Sequence, residues 1–340
     1  MMDRHGNLSA SGRGTRAALG SSHRGSFAVE PSVTQNRAEK HTVEVRGRRV
    51  HINGRLIRIG HLDGDGYELL DPRIVIEEIR RSPARIDLFT FMQVLPQSTP
   101  RYDYPVMLWD NLAAVPISTF DHWWARQING KTRNMVRRAE KKGVVTREVP
   151  FDDTLVEGIH EIYNEIAFRQ GKPFAHRGKD VDTVRRMSST FLERSVFIGA
   201  FYEEKLIGFA KLVSDENCGQ ANIMHIISMT SHKDRSPNNA LIAQAVRSCA
   251  NRRIPYLVYA KFSYGRKERD SLVDFKESNG FQRVEIPRYY VAITLRGRVA
   301  LRMGMHRRFA DRIPEPLLAR LRAIRRVWYV RRLGLAREQS

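Results

Sequence analysis

The chain has 340 residues, and its 58 Lys and Arg against 37 Asp and Glu leave a formal net charge of +21. That length leaves room for two domains with cores of their own, and the charge predicts attraction to nucleic acid, anionic lipid or an acidic polymer without choosing among them. The two cysteines, Cys218 and Cys249, make no metal-ligand or redox spacing, no apolar run approaches a membrane span, and the first residues lack the apolar core of a signal peptide.

A cytoplasmic protein without a metal is therefore expected, with peripheral attachment to the inner face of a membrane left open. Residues 1–40 are rich in Gly, Ser and Arg with almost no apolar periodicity and are expected to be a disordered tail. Gly12-Arg13-Gly14-Thr15-Arg16-Ala17 spells a dinucleotide fingerprint, but no strand precedes it, so the match is discarded.

Residues 41–130 read as a small α/β accessory domain that supplies one wall of a cleft. Val43, Val45, Val50, Ile52, Leu56, Ile57 and Ile59 mark strands, with Asn53-Gly54 as a hairpin turn. Pro72 to Arg81 is a short helix, and Asp87 to Phe91, Val106 to Trp109 and Ala113 to Ile117 are further extended pieces. Asp63-Gly64-Asp65-Gly66 is not a calcium loop, because Tyr67 and Ile74 stand where ligands are required.

Residues 131–295 read as the main domain. A basic helix carries Arg133, Arg137, Arg138, Lys141 and Lys142 and stops at Gly143; a solvated face and a phosphate-binding role are both open for it. Val144 to Val149 is a strand, and Asp152 or Asp153 caps a helix to Gln170 that places Glu161 and Glu165 one turn apart. Val196 to Tyr202 and Leu206 to Val213, divided by Glu203-Glu204-Lys205, form an antiparallel hairpin, and Asn222 to Met229 follows as a third strand. Ser236-Pro237 then opens a helix whose Leu241, Ile242, Ala245, Val246 and Cys249 share one face.

The first amides of that helix, at Asn238 and Asn239, face outward with the positive end of its dipole, where an anion can sit; an ordinary strand-to-helix connection is the plainer alternative. Tyr256 to Tyr259 is a short apolar strand, and a basic aromatic loop, Lys261 to Lys267, leads to a short helix around Phe275-Lys276 and the last strands. Residues 296–340 read as an Arg-rich amphipathic helical tail. Its stripe of Leu317, Leu318, Leu321, Ile324 and Trp328 suits an anionic membrane surface, RNA or packing on its own domain.

As an ordered set, several of these stretches resemble the GNAT acyltransferases, and in particular their FemABX-like branch. The resemblance is carried by Arg133 to Gly143, the Ile198 to Phe209 hairpin with Gly208, Ser236-Pro237-Asn238-Asn239, and Phe275-Lys276 with Gly280-Phe281, within about half of the chain. It implies an α/β (α+β) fold: a GNAT-like mixed, mostly antiparallel sheet flanked by helices, here with the smaller N-terminal accessory domain and the basic C-terminal tail. It also implies two strands that splay apart around an acetyl-CoA or other acyl-CoA co-substrate. The pantetheine would run beside His225, Ile226, Ile227 and Ser228, with the pyrophosphate near Arg235, Ser236, Asn238 and Asn239.

The sequence departs from the family at this helix start, where a loop without Gly and with Pro237 replaces the usual Gly-rich turn. FemABX-like relatives that take aminoacyl groups from tRNA keep the fold without CoA. The donor stays open between acyl-CoA and tRNA, with an N-acyltransferase that uses acyl-CoA as the favoured reading.

The implied reaction is attack by an amine, or less often a hydroxyl, on an activated ester or thioester carbonyl. His225 or Glu165 is the candidate base, with a core histidine as the alternative for the first. Lys276 is a candidate to stabilise charge on the substrate, or a surface lysine, and Tyr259 and Tyr264 are candidate proton donors to the leaving group. The expected acceptor is a small-molecule, saccharide or peptide amine such as an amino sugar or cell-envelope precursor. An adaptor that has lost its acyl site and binds membrane or nucleic acid through its charge is the non-enzymatic alternative.

Overall fold

Alternating apolar residues in the first described stretch build β1 (His41–Val45), β2 (Arg48–Asn53) and β3 (Ile59–Leu62), an antiparallel meander whose Val45, Val50, Ile52 and Leu62 are buried. The structure is a computed structural model that describes residues 41–45, 48–62, 71–96, 99–169, 172–215, 217–263 and 271–306. Residues 54–58 join β2 to β3, a longer loop than a two-residue hairpin, and Gly54 has a φ of +98° that suits a residue without a Cβ.

Helix α1 (Pro72–Arg81) begins where the Asp71 carboxylate accepts from the Arg73 amide at 2.9 Å, with Pro72 in the first turn. Strand β4 (Leu88–Met92) is buried throughout, and β5 (Val106–Pro116) joins into one strand the two extended pieces expected there. A short helix α2 (Phe120–His122), a π turn and α3 (Gly130–Lys141) follow, then β6 (Val145–Val149) and α4 (Asp153–Asn164), capped by Asp152 on the Leu155 amide at 2.8 Å. Helix α4 stops at Asn164, short of the expected Gln170. The chain then turns through the small hairpin β7 (Phe168–Arg169) and β8 (Lys172–Pro173) before α5 (Val181–Ser188).

The expected hairpin is β9 (Ser195–Tyr202) with β10 (Lys205–Ser214), and the third strand is β11 (Ala221–Ser228). After a 3₁₀ turn over Thr230–Arg235 come α6 (Pro237–Asn251), β12 (Tyr256–Val258), α7 (Ser271–Ser278), β13 (Gln282–Ala292) and α8 (Leu295–Arg302). The stripe expected between Leu317 and Trp328 lies outside the described residues, as do residues 1–40.

Eleven strands make one sheet in the order β1-β2-β3-β4-β13-β5-β12-β11-β10-β9-β6. It is antiparallel except at β3 with β4 and at β11 with β12, and helices flank it, so the fold is mixed α+β. Strand β13 is hydrogen-bonded to β4 on one side and to β5 on the other, so the segments 41–130 and 131–295 share this sheet. The main core packs α3, α4 and α6 on the strands from β5 to β9, and a second core includes Ile76 and Ile79 of α1 with Phe89, Phe91 and Tyr289. No helix among the described residues is long and apolar enough to cross a membrane.

Helix α8 is pressed onto the chain leading into β4 at Gly297, where an added Cβ would overlap the Asp87 carbonyl oxygen. Gly297→Ala is therefore expected to push α8 off and to lower stability by about 1–3 kcal/mol, measured as a fall in the urea midpoint. An unchanged midpoint would mean that α8 shifts at no cost.

Candidate functional site

The strands of the candidate site do separate. Strand β11 pairs with β10 from Ala221 to Ser228, but on its other side it meets β12 only at Ala221–Leu257 and Asn222–Val258. Beyond Val258 the chain leans away to β5, where the Tyr259 amide donates to the Ala113 carbonyl at 2.7 Å and the Ala113 amide to the Ala260 carbonyl at 2.9 Å. From Ile223 to Ser228 the β11 edge has no strand on that side among the described residues, which leaves a gap in the pairing of the sheet between it and residues 259–263. An extended substrate arm can lie there, with backbone amides to face a developing oxyanion. On the β10 side the strands are drawn tight at Gly208, where an added Cβ would stand 2.9 Å from the Ser228 Cβ.

The start of α6 differs from the sequence expectation. Ser236 precedes the helix in the left-handed region, φ 57°, and makes no side-chain cap; its hydroxyl donates to the Met135 sulfur at 3.4 Å. The Asn239 amide donates to the Ser236 carbonyl at 3.1 Å, and Pro237 has no N–H to offer. Arg235 donates to the Lys142 carbonyl at 2.8 Å and lies 3.6 Å from the centre of the Tyr202 ring, while Lys142 pairs with Asp234. Of the residues expected to cradle a pyrophosphate, Arg235, Ser236 and Asn239 thus have groups committed within the protein. The Asn238 side-chain oxygen is buried without a donor among the described residues. On the basic helix, Arg133 donates to the Trp124 and Ile128 carbonyls and Arg137 stacks on Trp124, so these two charges serve packing.

Glu165, one of the two candidate bases, is engaged within the protein. Its carboxylate accepts from the amides of Thr230 at 2.6 Å and Ser231 at 2.8 Å and from the Ser231 hydroxyl at 2.6 Å, and lies 3.9 Å from Arg169. Burial works to raise its pKa, but these hydrogen bonds and Arg169 outweigh it and hold the group below the ordinary carboxylate range. With its lone pairs so occupied, Glu165 anchors the turn between β11 and α6. Arg169 completes that anchor by donating to the Ser228 carbonyl.

Lys276 is fully buried, so it is not a surface lysine. Its ammonium donates to the Lys261 carbonyl and lies 4.8 Å from the Tyr259 ring centre, which fixes the far wall of the gap. That wall continues as a charge cluster that sequence reasoning missed: Asp110 on β5 accepts from Lys261 at 2.6 Å and from Arg288 at 2.9 Å. Asn279, fully buried, accepts from the Asn239 side chain at 3.3 Å and so ties the end of α7 to α6.

His225 is half-buried on the free-edged strand, opposite Lys211 in register and 6.3 Å from the Phe209 ring. Ile226 and Ile227 are half-buried beside it, and Ser228 is buried. Tyr264 lies outside the described residues. The strand from His225 to Ser228 therefore forms one side of the gap, Lys276 and Tyr259 back the other, and Glu165 holds the turn at its end. No cluster of three metal-ligating side chains occurs among the described residues.

Known structures share this architecture. The C-terminal domain of a putative lysylphosphatidylglycerol synthetase from Agrobacterium fabrum superposes with a TM-score of 0.50 at 13% identity, over 77% of this chain and 87% of that one. FemX superposes with a TM-score of 0.51 at 10% identity, over 76% of this chain and 88% of that one. The fold is GNAT-like, of the kind seen in FemX. No sequence-family model matches the chain, and no curated protein does. In this GNAT-like frame β11 and β12 are the splayed pair and α6 is the helix between them in sequence, within the expected stretch from Asn222 to Tyr259.

Proposed function

We propose that the chain is a transferase that moves an aminoacyl group from tRNA to an amine or hydroxyl acceptor through the gap between β11 and residues 259–263. The observation that carries transfer chemistry is the parting of the two strands after Asn222 and Val258. The choice of donor rests on the start of α6, where Arg235, Ser236 and Asn239 are engaged within the protein, an arrangement poorly suited to gripping a pyrophosphate. A net charge of +21 suits a polyanionic donor. The name of one structural neighbour, a putative lysylphosphatidylglycerol synthetase, supports an aminoacyl product and a lipid hydroxyl among the acceptors.

Acyl-CoA with an amine acceptor, such as an amino sugar or cell-envelope precursor, is the second reading. It is favoured by the open β11 edge from Ile223 to Ser228, whose backbone groups can pair with the amides of an extended pantetheine arm.

The test sets the donors against each other. Gel shift with total aminoacylated tRNA is expected to show a complex that weakens by about tenfold or more between roughly 50 and 200 mM salt. Calorimetry with acetyl-CoA is expected to show no heat of binding. CoA binding that weakens on changing Asn238, together with no tRNA complex, would overturn the aminoacyl reading in favour of the second.

A further inference from the structure

A cavity of about 490 Å³ lies away from the gap, at the corner where the β2–β3 loop, the end of α1 and the start of α8 meet. Its wall carries Arg55, Arg58, Arg80, Arg85 and Arg296, with Asp87 as its one carboxylate. That carboxylate is already taken, accepting from the Arg58 amide and from the Thr294 hydroxyl, each at 2.9 Å. None of the five guanidinium groups is in an ion pair among the described residues. Five arginines lining one hollow make it strongly positive, and planar guanidinium is the donor that best matches phosphate oxygens.

Exposed apolar side chains stand in and beside this cavity. Leu56 lines it and is 66% exposed. Leu295 and Val299, one turn apart on the outward face of α8, are 73% and 55% exposed, while Gly297 and Ala300 on the opposite face are buried. Arg296, Arg298 and Arg302 are exposed around that stripe. Exposed leucine and valine ringed by arginine are what a helix lying in a bilayer interface presents: side chains that enter the acyl boundary, and cations that stay with the headgroups. A nucleic acid would use the cations and leave the apolar side chains in water.

We propose that this corner is a docking site for an anionic phospholipid surface, with a headgroup phosphodiester held by the arginine cavity and α8 seated in the interface. The chain beyond α8 is a poor occupant of the cavity on charge grounds, because from Arg296 onward arginine dominates and Asp311, Glu315 and Glu338 are the only acids. The position of the site also matters. Residues Arg58, Asp87 and Ile293 sit at the ends of β3, β4 and β13 that lie level with the start of β5, and residues 259–263 run toward that same end. The cavity and the gap therefore open at one end of the sheet, three to four strand spacings or roughly 17 Å apart. An acceptor resting in the membrane would lie near the gap once the arginine corner is seated.

The test is flotation of the full chain with vesicles of phosphatidylcholine alone or with phosphatidylglycerol added. Binding is expected only with phosphatidylglycerol. Arg85→Glu with Arg296→Glu should weaken it about 30-fold or more, since each basic residue near the surface contributes about 1 kcal/mol. Leu295→Asp with Val299→Asp should weaken it about tenfold. All four positions are exposed, and unchanged urea midpoints would show that the fold is intact. Equal binding to both vesicle types, or undiminished binding by the Arg85 and Arg296 pair, overturns the proposal. So does a loss in the arginine variant alone with tRNA competing for the same surface, which would make it a nucleic-acid contact. None of these outcomes depends on which acyl donor is used.

Discussion

Asp110→Ala is expected to cost the fold about 3–5 kcal/mol, because it leaves Lys261 and Arg288 facing each other with their shared counter-charge gone. Asp110 is 8% exposed, Lys261 donates to both of its oxygens at 2.6 Å, and Arg288 reaches it at 2.9 Å from an almost equally buried position. Burial pushes the Asp110 carboxyl up, but the two cations together prevail and hold its pKa below the ordinary 3.8. A carboxylate whose folded pKa is depressed contributes stability that is present above the unfolded value and lost as pH falls through the folded one. The difference between the parent protein and Asp110→Ala, measured by urea unfolding, should therefore be large at neutral pH and shrink in acid. Adding Arg288→Met to Asp110→Ala should restore part of the loss, because one stranded cation is removed. If Asp110→Ala leaves the urea midpoint unchanged at neutral pH, the cluster is not what holds residues 261–263 against β5.

The stability of the protein should also rise with pH across a window set by Lys211. This lysine is fully buried in the middle of β10, where its ammonium donates to the Ser188 carbonyl and the Thr190 hydroxyl, each at 2.9 Å, and to the Thr190 carbonyl. Burial drives its pKa down to about 7 from 10.5, against a smaller pull from Glu193. Between those two values the unfolded chain holds a proton that the folded one has released, so unfolding becomes less favourable as pH climbs. Over the whole window the gain is roughly 4–5 kcal/mol at about 1.4 kcal/mol per pH unit. Lys211→Met should flatten that rise in urea unfolding measured at several pH values. A slope that persists in the Met variant would assign it to other groups.

Much of the frame is legible from local signals. Glu203 and Glu204 interrupt two apolar runs and occupy the left-handed turn between β9 and β10, with φ of 48° and 62°. Pro237 marks the start of α6, and Asp152 that of α4. What escapes is held by contacts distant in sequence. Glu165 reads as a solvent-facing residue or a free base because its partners, Thr230 and Ser231, lie on another part of the chain. Lys276 reads as a surface lysine because nothing near it in sequence predicts burial under Tyr259 and Lys261. Lys211 does leave a trace, a lone charge between Ala210 and Leu212 in an otherwise apolar run. The arginine cavity leaves none, since Arg55, Arg85 and Arg296 come from three separated stretches.

The position of β13 bears on how this chain comes to be folded while it is being made. Strands β4 and β5 are neighbours in sequence, yet the slot between them is filled by residues 282–292, so it stays empty until the ribosome has delivered nearly the whole described chain. Until then each of the two flanking strands exposes a raw edge, the kind of surface that pairs with strangers. Long-range closure of this sort is slow, and nascent chains stopped short of residue 282 should need a holding chaperone that the finished protein does not.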